Sequence, residues 1–288
     1  MKKNVLVTGA NGQLGNSIRR LASEYVDCTF YFTDIETLDI LSKEQIDAYI
    51  QTNQIQYIIN CAAYTAVDKA EEDQELAMRI NRDAVRNIAE AAKCYNVKVI
   101  HISTDYVFDG TGGSPFREDA STGPTSVYGI TKLAGETVLQ AICPQSVIIR
   151  TAWLYSEFGT NFVKTMMRLG DERSDLNVVS DQIGTPTYAF DLADAIMKIV
   201  IHPVFVPGIY HYSNEGVCSW YEFAKKIMLL AQLNCQVHPV STDEYPTPAK
   251  RPAYSVLDKG KIKQVYNVYI PDWEISLSTC IQNLLNNR

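Results

Sequence analysis

The chain has 288 residues, of which 46% are hydrophobic and 20% charged, and its formal net charge is -7. These values are typical of one large α/β domain with an elaborated C-terminal part, or of two small domains. The negative charge argues against nucleic acid as a partner. No stretch approaches the roughly 20 apolar residues that span a bilayer. The seven Cys are scattered without a CxxC pair, which predicts free thiols in a reducing cytosol. We therefore expect a cytoplasmic protein without a membrane partner.

Strand-like and helix-like segments alternate through the first half of the chain. Compact apolar or β-branched runs predict strands at 5–7, 28–33, 57–61, 97–103 and 146–150. Helical spacing or a capping residue predicts helices between them, beginning near Leu14 and Ser42 and covering 74–95 and 124–142. This alternation predicts an α/β fold of the Rossmann type, a doubly wound parallel sheet with helices on both faces.

A glycine motif, Gly9-x-x-Gly12-x-x-Gly15, lies between the first predicted strand and the first predicted helix. In this context glycines permit a tight turn and let backbone N–H groups approach a dinucleotide pyrophosphate. The alternative is a plain strand–turn–helix connection that happens to be rich in glycine. Asp34, at the end of the second strand, can accept both ribose hydroxyls of an adenosine and repels a 2′-phosphate, which favours NADH over NADPH.

The most informative pair is Tyr128 and Lys132. Four residues are about one helical turn, so the phenol and the ammonium share a face, and the cation is expected to lower the pKa of the phenol. A hydroxyl at the end of the fourth strand can join them at the edge where open sheets bind ligands. We choose Thr104 over Ser103, because strand alternation places these two on opposite faces. A tuned proton donor beside a dinucleotide site indicates oxidation or reduction of a carbonyl.

Beyond Thr151 the alternation is less regular. Helices are predicted at 161–168, 189–200, 220–231 and 273–285, short strands at 178–179 and 209–212, and a proline-rich loop over 239–252. We interpret 1–150 as an NAD(P)-binding Rossmann domain. Residues 151–288 are expected to form a smaller, mainly substrate-binding α/β part, from which some segments return to the sheet. A cleft between the two parts is the expected ligand site.

Several segments resemble a known family. They are 62–71, 103–110, 128–136, 150–155, 161–166 and Arg251-Pro252 with Ser255 and Leu257. Together with the glycine turn they resemble the extended short-chain dehydrogenase/reductases. Among these, the chain is similar to the reductases that convert dTDP-4-dehydro-β-L-rhamnose to dTDP-β-L-rhamnose with NADH or NADPH. The matching segments span nearly the whole chain.

The resemblance implies three catalytic roles. Tyr128 is the implied proton donor to the C4 carbonyl oxygen, and Thr104 hydrogen-bonds the same carbonyl. Lys132 is implied to hold the nicotinamide ribose and to lower the pKa of the phenol. From the sequence pattern alone, Asp68, Glu71, Glu72 and Asp73 form an acidic helix start, which we interpret as surface charge.

The resemblance also implies binding residues. Asp105 and Trp153 are implied substrate contacts, the indole offering an apolar face to a deoxysugar. Arg251 is implied to pair with the substrate diphosphate, because a guanidinium matches phosphate geometry; the alternative is a solvated loop arginine. Besides Tyr128 and Lys132, the implied cofactor contacts are Gly9, Gly12, Gln13, Leu14, Gly15, Asp34, Asp39, Ile40, Ala62, Ala63 and Tyr64.

Other functions stay open at this point. One is another nucleotide-sugar reductase, epimerase or dehydratase of the same superfamily, although dehydratases place Asp-Glu after the catalytic Thr and here Asp105 is followed by Tyr106. Another is a non-catalytic regulatory subunit similar to that of methionine adenosyltransferase. Some members of the resembled family dimerise through a Mg²⁺ bridged by acidic residues. This chain has Ser17 and Phe190 where such carboxylates would be sought, so no essential metal is expected. A monomer and a homodimer both remain open.

Overall fold

Strands and helices alternate through the first half of the chain and become shorter in the second. The structure is a computed structural model that describes residues 2–286. The strands are β1 (Lys3–Thr8), β2 (Cys28–Thr33), β3 (Tyr57–Asn60), β4 (Lys98–Thr104), β5 (Val147–Thr151), β6 (Leu154–Tyr155), β7 (Asp175–Val179), β8 (Ile183–Gly184), β9 (Thr187–Tyr188), β10 (Gly208–His211), β11 (Cys218–Ser219) and β12 (Gln236–Val240). The α-helices are α1 (Gln13–Leu21), α2 (Lys43–Asn53), α3 (Gln74–Met78), α4 (Ala84–Tyr95), α5 (Val127–Ile142), α6 (Phe162–Glu172), α7 (Ala189–Ile201), α8 (Trp220–Leu230), α9 (Gly260–Tyr266) and α10 (Trp273–Asn286).

Six parallel strands form the central sheet, in the order β10-β5-β4-β3-β1-β2. The order reverses between β1 and β3, and open α/β sheets bind ligands at the carboxyl ends of the strands beside such a switch point. The predicted α/β fold with a parallel sheet is confirmed. The outer strand β10 comes from the second half of the chain. The division into domains at 1–150 and 151–288 stays a prediction.

Apolar side chains cover both faces of the sheet, as a doubly wound fold requires. Alternate residues of β1 face opposite sides. Val5 and Val7 pack with α1 and α7 on one face, and Leu6 packs with α2, α4 and α5 on the other. All three side chains are buried. Burial on both faces explains why these strands are continuously apolar in the sequence.

A second apolar cluster lies in the C-terminal part. It joins α6, α8 and α10 with β7, through residues such as Val163, Phe223 and Leu277. α9 and the short strands β6, β8, β9 and β11 are not predicted from the sequence. Pro239, predicted to lie in a loop, lies in β12, which pairs with β7 in a two-stranded sheet. Proline is tolerated there because each strand of such a sheet is an edge strand.

The predicted long helix over 74–95 is interrupted by a π-helical turn, Arg79–Asp83, between α3 and α4. Asn81, in that turn, accepts a hydrogen bond from Tyr64 N at 2.9 Å and donates to Thr131 Oγ1 at 3.0 Å. Gly135 packs so closely that an added Cβ would lie 2.1 Å from the Asn81 carbonyl oxygen. Single π-turns are often found at functional sites, and this one fixes the helix that carries Tyr128.

Candidate active site

A cavity of about 960 Å³ lies at the carboxyl ends of the central strands. Its size suits a dinucleotide or a nucleotide sugar. The residues predicted for the site that line it are Gly9, Gly12, Gln13, Leu14, Asp34, Asp39, Ile40, Ala62, Ala63, Thr104, Asp105, Tyr128, Lys132, Trp153 and Arg251. Of the described residues predicted to bind cofactor, Gly15 and Tyr64 are absent from this lining. The Tyr64 phenol instead donates to Asp73 Oδ2 at 3.0 Å.

The glycine turn forms a narrow cradle that larger residues would fill. Gly9 has a φ of +63°, and an added Cβ would lie 2.6 Å from the backbone nitrogen of Ala62. At Gly15 an added Cβ would lie 2.5 Å from Ala10 Cα, so this glycine serves the packing of α1 against the turn. Gly12 is the N-cap of α1 and has no side chain to satisfy the first-turn N–H groups. This arrangement fits a dinucleotide pyrophosphate.

Asp34 is fixed beside the glycine turn by backbone donors. Its Oδ2 accepts from Asn11 N and its Oδ1 from Ile35 N, both at 2.9 Å. The carboxylate therefore caps the turn after β2 while lining the cavity. Asp39 accepts from Leu41 N at 2.9 Å, so it both shapes its own turn and lines the same end of the cavity.

Thr104, Tyr128 and Lys132 meet at the middle of the cavity. Thr104 ends β4, and α5 presents the other two residues one turn apart. The helix begins three residues later than predicted, at Val127, whose N–H donates to Glu71 Oε1 at 2.9 Å. Lys132 Nζ is buried and donates to the Ile102 carbonyl oxygen at 2.6 Å. Secondary structure alone thus brings a phenol, a hydroxyl and an ammonium to one place.

The prediction that Lys132 lowers the pKa of Tyr128 is wrong. Burial raises the pKa of Tyr128 to about 12, and the nearby Asp105 carboxylate adds to this, although a hydrogen bond with Thr104 opposes it. Burial also lowers the pKa of Lys132 to about 8, against the attraction of Glu136. Removal from water is the largest cause of both shifts, and the pKa of the phenol depends on Thr104 and Asp105 and not on the cation that helical spacing suggested.

Asp105 is buried directly after Thr104, whose Oγ1 donates to Asp105 Oδ1 at 3.0 Å. Burial raises the pKa of Asp105 to about 6, and hydrogen bonds from Ser255 and Thr104 oppose this shift. A carboxylate here would accept hydrogen bonds from the hydroxyls of a bound sugar.

An aromatic wall forms the C-terminal side of the cavity. Trp153 has a φ of +48°, which is uncommon for a residue with a side chain. Its indole stacks on Trp220 with the ring centroids 3.6 Å apart, and Phe162 lies 4.6 Å from the same ring. All three residues line the cavity. Trp153 is predicted from the sequence, whereas Trp220 and Phe162 are not, because their helical spacing indicates only ordinary packing.

Arg251 lines the cavity and pairs with Asp68 from the first half of the chain. Its Nη1 and Nη2 donate to the two carboxylate oxygens of Asp68 at 2.9 and 2.7 Å. This pair holds the pKa of the Asp68 carboxyl below its usual value. The Asp68 side chain is 41% exposed, as the interpretation as surface charge expects, but its carboxylate also orients the arginine of a loop 183 residues further along.

Ser103 joins a buried ion pair behind the site. Ser103 Oγ donates to Glu136 Oε1 at 2.5 Å, and Glu136 in turn pairs with Arg150 Nη2 at 2.7 Å. Both charged side chains are at least 97% buried. Ser103 and Thr104 both line the cavity, but the Ser103 hydroxyl is bound to this ion pair, whereas Thr104 Oγ1 donates to Asp105. The preference for Thr104 stays a prediction.

Across residues 2–286, no helix combines the length and apolarity that crossing a bilayer would need. The same residues contain no group of three or more His, Cys, Asp or Glu side chains placed to hold a metal ion.

The sheet order, the glycine turn and the helix with Tyr128 and Lys132 define an oxidoreductase of the extended short-chain dehydrogenase/reductase class. A sequence profile described as the RmlD substrate binding domain matches residues 2–286. The chain is 41% identical to the dTDP-4-dehydrorhamnose reductase of Aggregatibacter actinomycetemcomitans, over 95% of this chain and 96% of that protein. The chain therefore belongs to the dTDP-4-dehydrorhamnose reductase family.

Two further relatives bear on cofactor and substrate. The crystal structure of the Bacillus anthracis dTDP-4-dehydrorhamnose reductase in complex with NADP superposes with a TM-score of 0.94 at 42% identity, covering 98% of this chain and 100% of that chain. A probable dTDP-4,6-dihydroxy-2-methyloxan-3-one 4-ketoreductase of Streptomyces antibioticus is 37% identical over 97% of this chain and 95% of its own length.

Proposed function

We propose that this chain reduces the C4 ketone of dTDP-4-dehydro-β-L-rhamnose to give dTDP-β-L-rhamnose, with NADPH or NADH as the reductant. The observation that carries the proposal is the meeting of Thr104, Tyr128 and Lys132 with the glycine turn in one cavity. The names of the relatives, which match over nearly their full length, support the substrate.

The cofactor would lie on the N-terminal side of this cavity. The first-turn N–H groups of α1 would hold its pyrophosphate, and Asp34 would face the adenosine ribose. A bound reduced nicotinamide supplies the hydride for C4. We further propose a preference for NADH, because the Asp34 carboxylate repels a 2′-phosphate. The Bacillus anthracis relative was crystallised in complex with NADP. The ratio of kcat/KM for NADH to that for NADPH therefore tests directly whether this chain prefers NADH.

Tyr128 would donate its proton to the C4 oxygen while Thr104 hydrogen-bonds the same oxygen. A pKa raised to about 12 by burial keeps the phenol protonated at neutral pH, which is the state that a proton donor needs. Such a positioned acid typically contributes about 10²–10⁴-fold to the rate. The phenolate left behind would be stabilised by the ammonium of Lys132.

The sugar nucleotide would lie between the catalytic residues and the C-terminal part. Asp105 would accept from sugar hydroxyls, Trp153 would cover the apolar face of the deoxysugar, and Arg251 would bind the diphosphate. Binding energy from the nucleotide end would then hold C4 in the reacting position. In this scheme residues 1–150 serve the cofactor and 151–288 mainly the substrate.

The test is to follow the oxidation of NADH and NADPH with dTDP-4-dehydro-β-L-rhamnose and with its GDP-linked counterpart. We expect one cofactor oxidised per dTDP-rhamnose formed and slower turnover of the GDP-linked sugar. No oxidation with the dTDP-linked sugar would contradict the proposal. A second candidate is a reductase of another dTDP-linked keto sugar, which the Streptomyces antibioticus relative favours. A panel of dTDP-linked keto sugars, compared by kcat/KM, distinguishes the two.

A further inference from the structure

The side chain of Gln13 joins the glycine turn to the C-terminal part. Its Oε1 accepts from Ser156 Oγ at 3.1 Å and from Asn161 Nδ2 at 2.9 Å. Its Nε2 donates to the Leu154 carbonyl oxygen at 3.4 Å. These partners lie 141 to 148 residues further along the chain. The Gln13 side chain is therefore hydrogen-bonded to the loop 154–161, and the backbone N–H of Gln13 lies in the first turn of α1.

The loop 154–161 is organised around this amide. Asn161 Nδ2 also donates to the Ser156 carbonyl oxygen at 2.8 Å, and Asn161 Oδ1 accepts from Lys164 N at 3.2 Å, which caps α6. Gly159 has a φ of +61°, and an added Cβ there would lie 3.4 Å from Gln13 Cγ. The loop thus wraps the side chain of Gln13 and passes directly into α6.

The residues on either side of this loop form the aromatic wall. Trp153 precedes it and Phe162 follows it, and both rings contact Trp220. A shift of the loop would move both of these rings, which line the cavity. A second contact reinforces the link two helical turns further along α1, where Arg20 Nη1 lies 3.1 Å from Glu157 Oε1.

We propose that Gln13 is a positioning residue that couples the binding of the dinucleotide to the binding of the sugar nucleotide. The identity of the two ligands rests on the function proposed above. A pyrophosphate bound to the backbone of the glycine turn fixes the start of α1. The Gln13 side chain is fixed with it, and its hydrogen bonds then hold the loop 154–161 and the aromatic wall in place. Because such coupling is reciprocal, each ligand tightens the binding of the other by the same factor.

The test measures the affinity for dTDP-rhamnose by calorimetry, with and without saturating NADP⁺. Saturation is expected to tighten binding by wild type at least about fivefold, and by the Gln13→Ala variant less than about twofold. Asn161→Asp should lose the coupling too, because it keeps the cap on Lys164 N but replaces the donor to Gln13 with a carboxylate. Asn16→Ala is the matched control, since the Asn16 amide donates only to Asn11 and Gly12 of its own turn.

The melting temperature of each variant, followed by circular dichroism, reports whether it is folded. Because NADP⁺ is raised to saturation separately for each variant, a weaker contact between Gln13 and NADP⁺ does not by itself change the coupling that is measured. Wild-type coupling in Gln13→Ala, or wild type without coupling although both ligands bind, would overturn the role of Gln13. If wild type binds neither ligand, the proposed function itself fails. A loss in Asn16→Ala equal to that in Gln13→Ala would assign the effect to general disturbance of α1 and would also overturn the proposal.

Discussion

The buried ion pair of Glu136 and Arg150 joins α5, the helix that carries Tyr128 and Lys132, to β5 of the central sheet. Arg150 Nε lies 2.9 Å from Glu136 Oε1, and Nη2 lies 2.7 Å from Oε2. Glu136→Gln retains the shape of the side chain but leaves the guanidinium in the interior without an anion. Removing one partner of a buried pair costs about 3–5 kcal/mol, a large part of the roughly 5–15 kcal/mol by which a domain is stable.

Thermal unfolding followed by circular dichroism measures this cost. One kcal/mol shifts the Tm by about 2–4 °C in chains of about 150–250 residues, so in this longer chain we expect Glu136→Gln to melt about 6–10 °C below wild type. The matched control is Glu172→Gln, which breaks a pair with Arg168 whose side chains are 51% and 60% exposed. Exposed pairs contribute about 0–1 kcal/mol, so the control should melt within about 2 °C of wild type.

The two variants are compared because one breaks a buried ion pair and the other an exposed one. Equal melting temperatures for Glu136→Gln and Glu172→Gln would therefore refute the claim that burial makes the unpaired charge costly. Replacing both Glu136 and Arg150 by Met removes both charges and is expected to recover most of the lost stability. A double variant no more stable than Glu136→Gln would mean that the cost lies in packing and not in the unpaired charge.

Three other outcomes concern the cavity itself. Tyr128→Phe should lower kcat at least about 100-fold, since the phenol is the acid proposed to protonate the C4 oxygen, while the Kd for NADPH measured by fluorescence titration changes little. The value of kcat/KM should decrease at pH values below about 6, where Asp105 takes up a proton, and at pH values above about 8, where Lys132 loses one. If the decrease below pH 6 persists in Asp105→Asn, it does not come from Asp105. Asp34→Ser should raise the NADPH/NADH ratio of kcat/KM about fivefold, which corresponds to about 1 kcal/mol of removed repulsion between charges about 4 Å apart in water. An unchanged ratio would show that Asp34 does not select the cofactor.

The parts of the site that the sequence predicts are those that local spacing determines. Helical periodicity places Tyr128 and Lys132 one turn apart, and strand alternation separates Thr104 from Ser103. The Rossmann-type sheet follows from the same local patterns, because each strand and helix is short and its apolar residues repeat at the expected period.

The parts that the sequence does not predict depend on contacts between distant segments. The pairing of Asp68 with Arg251 and the bridge from Gln13 to Asn161 join residues more than 140 positions apart. Neither contact leaves a local pattern in the sequence. The pKa of Tyr128 was predicted in the wrong direction for a related reason, since its largest cause is burial, and burial depends on everything packed around the phenol.

The central claim is that hydride reaches C4 of the dTDP-linked sugar in this cavity. The most direct measurement uses NADH deuterated at both C4 positions of the nicotinamide, with dTDP-4-dehydro-β-L-rhamnose as the acceptor, and analyses the product by mass spectrometry and NMR. We expect a single deuterium, located at C4 of the rhamnose, and one NAD⁺ per product. A product without deuterium at C4, or turnover without net oxidation of the cofactor, would contradict the claim.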